Sequence, residues 1–249
     1  MKTNRPLFAV LTFVLVIAVG ALPTLAQNET SLMNVRLVTV KQDKVGDWIE
    51  LQKQLTESMK KAGAPGRSIY EQVKGDHNTF HILTPLEGWS DYDSPSDNGM
   101  GEAEWANWVN DILGTIQSRK EFTVLNYDNF SIPAAEGSEP KLIGLWRHRV
   151  KQENRNDFYD WYEKKMVPAL KKIGVKGRSF GRTILGDDVN TFYHARRLNS
   201  YADMQARGFS KLTAAERADL FSAERQSWIV ESEQLMLRYR PDLSYSSED

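Results

Sequence analysis

Short β-branched runs and longer amphipathic stripes follow one another along the first half of the chain. Residues 35–40 are rich in β-branched side chains, which is typical of a strand. The next apolar residues recur at spacings of three and four, which predicts an amphipathic helix that ends at Gly63 and Pro65. These residues are Trp48, Leu51, Leu55, Met59 and Ala62.

Two further strands are predicted over residues 67–74 and 79–83. The residues between them, 75–78, include glycine, aspartate and asparagine, which tolerate the left-handed conformations of a tight hairpin turn. After a loop over residues 85–101, a second helical stripe is formed by Trp105, Trp108, Ile112 and Ile116. A last strand over residues 122–127 completes the order β-α-β-β-α-β.

The second half of the chain shows the same order of predicted elements. Strands are predicted over residues 143–150, 178–185, 191–196 and 235–240, and helices over residues 157–172 and from about Ala214. Thr213 and Glu216 have the spacing of a capping box at the start of the second helix. Pro168 lies inside the first helix, where it removes a backbone hydrogen bond, and so predicts a kink or bulge.

The two halves also share a long stretch of sequence. Residues 60–80 read KKAGAPGRSIYEQVKGDHNTF, and residues 171–192 read KKIGVKGRSFGRTILGDDVNTF. Val150 follows Val40 by 110 positions, and Phe192 follows Phe80 by 112. An offset that changes by single residues, near turns or helix irregularities, indicates one continuous duplication.

The duplication predicts an α+β fold, with two tandem ferredoxin-like βαββαβ units that form an α/β barrel within one chain. Each unit leaves one face of its sheet bare, and the two bare faces are expected to cover each other. The expected limits are 32–133 for the first unit, 134–140 for a linker and 141–245 for the second unit.

The amino-terminal segment has the parts of a secretory signal peptide. Lys2 and Arg5 precede an apolar run, and small residues lead to a cleavage position after Ala26. Residues 1–26 are therefore predicted to be removed from a secreted or periplasmic protein that is not held in a membrane. An uncleaved anchor is the alternative, because the apolar run is about as long as a short membrane span.

The composition argues against nucleic-acid binding and against functions that need cysteine. The chain has 32 basic and 33 acidic residues, and it lacks the clustered basic surface that nucleic-acid binding requires. It contains no cysteine, which excludes disulfides, thiolate metal ligands and a cysteine nucleophile.

Three stretches carry a family resemblance: Val150-Lys151-Gln152, the helix string YEKKMVPALKK at residues 162–172, and the closing YRPDLS at residues 239–244. They are similar to the dimeric α/β-barrel superfamily, which includes antibiotic-biosynthesis-monooxygenase-like and NIPSNAP-like proteins. The resemblance covers residues 32–245 and implies the barrel fold. It implies no single activity, because this superfamily includes oxygenases, haem-handling enzymes, isomerases and stress proteins.

The resemblance also bears on cofactors. Relatives that bind haem use an axial histidine on a helix. The four histidines of this chain all fall on predicted strands or in a predicted turn, and they are His77, His81, His148 and His194. Their spacing does not resemble a metal cluster, so neither a cofactor nor a metal site is predicted.

The strand around His148 is the most polar difference between the halves. Trp146, Arg147 and His148 stand where the first half has Arg36, Leu37 and Val38. Because alternate residues of a strand face opposite sides, Trp146 and His148 share one face and Arg147 lies on the other. All three are candidate ligand-binding residues and His148 is the candidate catalytic residue, with a satisfied core or interface histidine as the alternative.

Aromatic residues cluster in the second helix of the first half. Trp105 and Trp108 lie near the 85–101 loop, which is long enough to cover a pocket, and they are candidate ligand-binding residues. Their helical spacing is equally typical of a core.

The arginines and histidines that occur in both halves are interpreted as structural rather than as parts of a site. Arg67 and Arg178 each follow a glycine at the entry to a strand, and each is expected to pair with a carboxylate of its own chain. His81 and His194 are not a symmetric pair, because Phe80 aligns with Phe192, and they are expected to face opposite sides of the sheet.

Three functions are compatible with these patterns. The first is an exported protein that binds a small, partly apolar ligand without catalysis. The second is an enzyme that resembles cofactor-independent monooxygenases and acts on an aromatic or quinol-type substrate, with activity confined to the second half. The third is an interaction scaffold, which could also form a homo-oligomer.

Overall fold

The computed structural model describes residues 30–93, 98–134, 140–205 and 208–246. The predicted signal segment 1–26 lies outside these residues, as do residues 135–139 of the predicted linker. In the described part of the chain, no helix is both long enough and apolar enough to cross a membrane.

Eight strands form one closed antiparallel barrel. They are β1 Thr30–Val40, β2 Ser68–Lys74, β3 Thr79–Leu86, β4 Ile116–Tyr127, β5 Leu142–Val150, β6 Arg178–Leu185, β7 Thr191–Leu198 and β8 Ile229–Tyr239. Around the barrel they follow the order β1, β3, β2, β8, β5, β7, β6 and β4. The chain is therefore an α+β protein built on a closed barrel.

The two halves of the chain meet along two strand pairs. β2 pairs with β8 on one side, and β4 pairs with β6 on the other. The first half thus supplies the neighbouring strands β4, β1, β3 and β2, and the second half supplies β6, β7, β5 and β8. Because these pairings close the ring, the edges of each half are covered by the other half.

Seven helices connect the strands in the described residues. They are α1 Val45–Lys61, α2 Glu102–Thr115, α3 Arg155–Trp161, α4 Val167–Lys172, α5 Ala202–Gln205, α6 Ala214–Leu220 and α7 Ala223–Ser227. The helix expected from about Ala214 is divided into two short ones, α6 and α7, and α5 lies before it in the chain. Thr213 forms the predicted capping box with Glu216 at the start of α6.

A π-helical turn separates α3 from α4. It spans Tyr162–Met166, directly before α4, whose second residue is Pro168. This confirms the predicted bulge near Pro168, since a π turn accommodates one extra residue and a proline is tolerated at a helix start. The equivalent helix α1 runs without interruption.

The tight turns have the backbone that their residues predict. Gly75 has φ 107° and Asn78 has φ 60° in the β2–β3 turn, and Gly186 has φ 83° after β6. A Cβ atom at Gly186 would lie 2.6 Å from the carbonyl oxygen of Glu121. Glycine is therefore required there both by conformation and by space.

The two faces of the barrel wall have different neighbours. On the outer face of the second half, Val150, Phe180 and Phe192 pack in one core with residues of α3 and α4. On the inner face, Val35 and Tyr193 belong to a cluster of strand residues from both halves. The core between helices and sheet is the layer in which the candidate site lies.

Candidate active site

β5 presents Trp146 and His148 to the helix layer. Val150, on the same face of the strand, packs in the core with α3. Arg147 lies on the opposite face and forms an ion pair with Glu233 at 3.1 Å. This confirms the prediction that Trp146 and His148 share one face of β5 and that Arg147 lies on the other. As a consequence, Arg147 does not share a pocket with Trp146 and His148.

Trp105 and Trp108 lie in the first half and are not brought to His148. Their rings stack on each other with centroids 5.0 Å apart. The indole nitrogen of Trp108 donates to the carbonyl oxygen of Leu51 at 2.8 Å, and Trp105 packs against a core cluster that includes Tyr245. Trp108 and Leu51 also line a groove of about 410 Å³ between α1 and α2.

His194 on β7 lies beside His148. The strand register pairs Trp146 with His194, and the rings of His148 and His194 have centroids 5.0 Å apart. His194 is 2% exposed, and neither of its ring nitrogens has a hydrogen-bond partner among the described residues. His81 instead lies on the inner face, with its Nε2 3.2 Å from Oε1 of Gln72, so the predicted opposite orientation of His81 and His194 is confirmed.

The His148 end of the histidine pair is polar and open to solvent. Nδ1 of His148 lies 2.9 Å from Oγ of Ser232 on β8. Ser232 and its neighbour on the same face, Gln234, are exposed. The His148 side of the site is therefore reachable from solvent, whereas His194 lies at its buried end.

Aromatic rings enclose the two histidines. Tyr162 stacks on Phe180 with centroids 3.9 Å apart, and its ring lies 4.8 Å from His194. Phe158 lies 6.2 Å from His148 on the other side. Tyr162 is the first residue of the π-helical turn, so the irregular turn of this helix lies at the site.

Two arginines complete the site. Nε of Arg178 donates to the hydroxyl oxygen of Tyr162 at 3.2 Å, and its guanidinium lies 5.4 Å from the ring centroid of Trp146. The guanidinium of Arg225, on α7, lies over Trp161 at 4.3 Å. Such cation–π contacts hold a guanidinium by its face and leave its N–H edges available.

The expected carboxylate partners of the duplicated arginines are absent from the described residues. Arg67 is 4% exposed, and its Nη2 donates to the carbonyl oxygen of Gln52 at 3.0 Å and to Oγ1 of Thr56 at 2.6 Å. Arg178 uses the hydroxyl of Tyr162. The prediction of an intrachain ion pair is wrong at both positions. Each arginine donates instead to neutral acceptors on the preceding helix, and Nε of Arg67 has no partner among the described residues.

His148 and His194 are neutral near neutral pH. Burial, together with the positive charges of Arg225 and Arg178, lowers the pKa of His148 to about 4. Burial lowers the pKa of His194 well below its ordinary value, and Arg178, His148 and Arg225 act in the same direction. A neutral imidazole is able to accept a proton, which is the state required of a general base.

The positions equivalent to the two histidines carry apolar side chains in the first half. Val38 stands where His148 stands, and Ile82 aligns with His194. Trp48 is fully buried and stacks on Phe80 with centroids 4.1 Å apart. The polar site is therefore confined to the second half.

These residues do not fit a haem. The rings of Tyr162 and Phe180 lie 4.8 and 5.2 Å from the ring of His194 and occupy the space that a porphyrin face would need. His81, His148 and His194 lie on strands, as predicted. In the described part of the chain, no group of three or more histidine, aspartate or glutamate residues is placed to hold a metal ion.

The sequence pattern indicated Trp146 and His148 but missed their partners. His194 was compared only with His81, whereas the β5–β7 register brings it to His148. The alignment of the two halves could have indicated His194, because the first half has the apolar residue Ile82 at the equivalent position. The position of Arg225 depends on how α7 packs, and the sequence around Arg225 does not predict that it reaches the site.

Comparison with known proteins adds information on the fold. No protein-family model matches the chain, and the search of curated proteins found no match. Among solved structures, an anthrone oxidase-like protein has a TM-score of 0.60 and 11% identity, over 88% of this chain and 94% of that one. A protein from Lactobacillus acidophilus NCFM, assigned provisionally as a monooxygenase, has a TM-score of 0.57 and 12% identity, over 88% and 97% of the two chains.

A mutant chlorite dismutase from Candidatus Nitrospira defluvii, solved in complex with cyanide, is also similar. Its TM-score is 0.54 and its identity 10%, over 85% of this chain and 92% of that one. At such identities the likeness concerns the fold. The chain has the fold of the dimeric α/β-barrel superfamily, as the sequence resemblance predicted.

Proposed function

We propose that the chain is a cofactor-independent oxygenase that acts on an electron-rich aromatic or quinol-type substrate. The observation that supports this best is the neutral pair His148 and His194, held 5.0 Å apart among aromatic rings and two arginines. It is the combination that deprotonation of a phenolic hydroxyl requires: a base, an apolar wall for the ring, and positive charge for the resulting anion.

His148 acts as the general base in this proposal. Its Nδ1 interacts with Oγ of Ser232 at 2.9 Å, which orients the imidazole. With the Ser232 hydroxyl donating to Nδ1, the proton remains on Nε2; with Nδ1 protonated and donating, Nε2 is free to accept the substrate proton. We assign the second arrangement to the reactive form.

The two arginines are needed to make this proton transfer feasible. A phenolic hydroxyl has a pKa near ~10 and His148 has a pKa of about 4, a gap of ~6 units or ~8 kcal/mol. An anion formed beside Arg178 and Arg225 is stabilised by them, and it raises the pKa of the neighbouring imidazole in return. The guanidinium groups therefore act on both partners of the transfer.

The overall reaction balances without an external reductant. A hydroquinone that has lost its proton donates electrons to dioxygen, one oxygen atom enters the ring, and the other leaves as water. A hydroquinone and one dioxygen thus give a hydroxyquinone and one water. The second hydroxyl proton and the one displaced ring proton go to that water, and His148 gives the proton that it accepted to the new hydroxyl oxygen.

The structural neighbours favour this proposal over a non-catalytic exported binding protein. One of them is described as anthrone oxidase-like and another provisionally as a monooxygenase. A second candidate function, ligand binding without turnover, is supported by the same aromatic enclosure, and the experiment below distinguishes the two.

The test is dioxygen uptake by the full chain with a panel of hydroquinones. We expect uptake by the parent protein and a loss of about 100-fold or more in His148→Gln, the usual range for removal of a general base. His77→Gln is the matched control, because His77 is exposed in the β2–β3 turn. Equal rates in His148→Gln and the parent would exclude His148 as the base, and ligand-induced stabilisation without uptake would favour the binding protein.

We also propose that the two halves are copies of one ferredoxin-like unit. Their matching sheet orders support this, as do the equivalent contacts of Arg67 with Gln52 and of Arg178 with Tyr162. For residues 1–26 we propose export followed by cleavage after Ala26. Intact-mass measurement of the protein recovered from outside the cytoplasm tests this, and a full-length mass would contradict it.

A further inference from the structure

The charges of the site are not balanced by the protein. Arg36, Arg147 and Arg149 lie on strands and each forms an ion pair with a glutamate. Arg225 and Arg178 differ, because within the described residues neither side chain forms an ion pair. Nε of Arg225 is buried without a hydrogen-bond partner.

Both unpaired cations lie close to the histidine pair. Each lowers the pKa of His148 and of His194 by its charge, and no acidic group contributes to either histidine. Burial also lowers the pKa of Arg225 to about 10. Two partly buried positive charges without a counter-charge are unfavourable in the free protein, and a bound anion relieves that cost.

The two arginines differ in what holds them. Arg178 is already hydrogen-bonded to Tyr162 and lies over Trp146. Arg225 is held by the faces of Trp161 and Phe158, at 4.3 and 5.9 Å. Among the described residues its guanidinium forms no hydrogen bond, so its N–H groups can form the paired hydrogen bonds that a carboxylate accepts from a guanidinium.

From this arrangement we infer that the site selects aromatic substrates that carry a carboxylate, and that Arg225 is the specificity-determining residue that binds it. The inference rests on the proposed function for its identification of this layer as the substrate site. The half-buried ring of Trp146 favours an aromatic acid over a small inorganic anion, because it offers an apolar surface next to Arg178. Arg178 then remains for the anion that forms next to His148.

The test compares two ligands of the same shape that differ in charge. 2-Naphthoate and 2-naphthamide are titrated calorimetrically into the full chain near neutral pH, and neither has a hydroxyl for the proposed reaction. We expect naphthoate to bind at least about tenfold more tightly, the range of one charge-assisted hydrogen-bonded pair. Equal dissociation constants in the parent protein would overturn the inference without any variant.

Two variants assign the preference to a residue. Arg225→Gln is expected to bring the ratio of the two dissociation constants close to one. Arg182→Gln is the matched control, because Arg182 lies on β6 over Tyr159 and is not among the groups that act on His148 or His194. A ratio that persists in Arg225→Gln, or that is lost equally in Arg182→Gln, would contradict the assignment. The unfolding temperature of each variant shows that it is folded.

Failure of this inference is distinguishable from failure of the proposed function. Dioxygen uptake is measured in parallel with hydroquinone and with 2,5-dihydroxybenzoate. Uptake with hydroquinone but no preference for naphthoate rejects the inference alone. A naphthoate preference that depends on Arg225, without uptake from either hydroquinone, rejects the oxygenase and leaves the carboxylate site standing.

Discussion

Arg178 donates from Nε to the hydroxyl of Tyr162 at 3.2 Å, and the equivalent pair in the first half is Arg67 with Gln52, joined at 3.0 Å through a backbone carbonyl. In both halves an arginine at the entry to a strand contacts the same position of the preceding helix. The acceptor is a backbone carbonyl in the first half and the hydroxyl of Tyr162 in the second. Only Tyr162 also lines the polar site.

Arg67 is expected to be important for stability. Arg67→Met removes its charge-assisted hydrogen bonds to Gln52 and Thr56, which tie the start of β2 to α1, so we expect the free energy of unfolding to fall by roughly 2–3 kcal/mol. The measurement is denaturant unfolding. Arg119→Met is the control, because Arg119 is exposed and its ion pair with Glu121 should contribute less than about 1 kcal/mol. Equal losses in the two variants would show that burial of Arg67 adds nothing.

His194→Ile is expected to stabilise the protein and to lower dioxygen uptake, because the ring of His194 packs against His148 at 5.0 Å. The ring nitrogens of His194 are buried without hydrogen-bond partners among the described residues, and isoleucine is the residue that the first half has at this position, Ile82. Removing an unsatisfied buried polar group should raise the free energy of unfolding by roughly 1–3 kcal/mol. Denaturant unfolding and dioxygen uptake are measured on the same preparation.

The reciprocal variant is the control for this prediction. Ile82→His places an imidazole among the apolar side chains of the first half and should lower stability by a similar amount. A destabilised His194→Ile variant that keeps its activity would contradict the role of His194 in the site, since it would identify His194 as a core residue.

Stability is expected to fall in mild acid because of buried histidines. The pKa of His81 in the folded protein is about 4, below the ~6.5 of an unfolded histidine, so the unfolded chain binds protons first as the pH falls. Its contribution is fully present above about pH 6.5 and is lost as the pH falls towards 4. For His81, which is 4% exposed, the loss is on the order of 3 kcal/mol.

Denaturant unfolding as a function of pH measures this loss. His148→Gln should make the decline between about pH 6.5 and 4 shallower, because His148 also has a pKa of about 4. His77→Gln should leave it unchanged. A carboxylate with a lowered pKa, such as Glu121 at about 2, acts in a separate window below about pH 4.5. A free energy of unfolding that stays constant from pH 6.5 to 4.5 would contradict the prediction.

Deletion of Lys164 tests the π-helical turn. Lys164 is exposed, and it forms an ion pair with Asp160 one helical turn before it. Its removal should let α3 and α4 join as one regular helix, as in α1, so the chain should still fold while Tyr162 shifts and dioxygen uptake falls. Deletion of Glu57 from α1 is the control, because α1 has no extra residue to lose and its buried face would change register. Similar unfolding of both deletion variants, measured by circular dichroism, would contradict this interpretation.

Local patterns predicted the elements of this fold well. The apolar periods indicated all the strands and the long helices, and the bulge near Pro168 followed from the offset between the halves. However, β4 and β8 begin about six residues earlier than predicted, and Ile116, which was assigned to the second helical stripe, is the first residue of β4. Helix α5 was not predicted, nor was the division of the helix expected from about Ala214 into α6 and α7. Helices of four to seven residues are stabilised by the core beneath them rather than by their own pattern.

Only the site residues that lie on the single strand β5 were predicted correctly. Alternation along β5 placed Trp146 and His148 on one face, but the neighbour of His148 depends on the register between β5 and β7. Arg225 reaches the site through the packing of α7, and the sequence around it has no distinguishing feature. Trp105 and Trp108 were chosen for aromatic density, which a core between α1 and α2 explains.

The closed barrel within one chain removes a constraint that a pair of identical subunits would face. In a symmetric dimer, every substitution appears twice, so a buried histidine that costs stability does so at both sites. Here the first half keeps Val38 and Ile82 in the layer where the second half holds His148 and His194. The apolar first half can therefore stabilise the barrel while the second half carries buried polar groups that lower its stability. Because β2 pairs with β8 and β4 with β6, both halves belong to the same barrel and contribute to one free energy of unfolding.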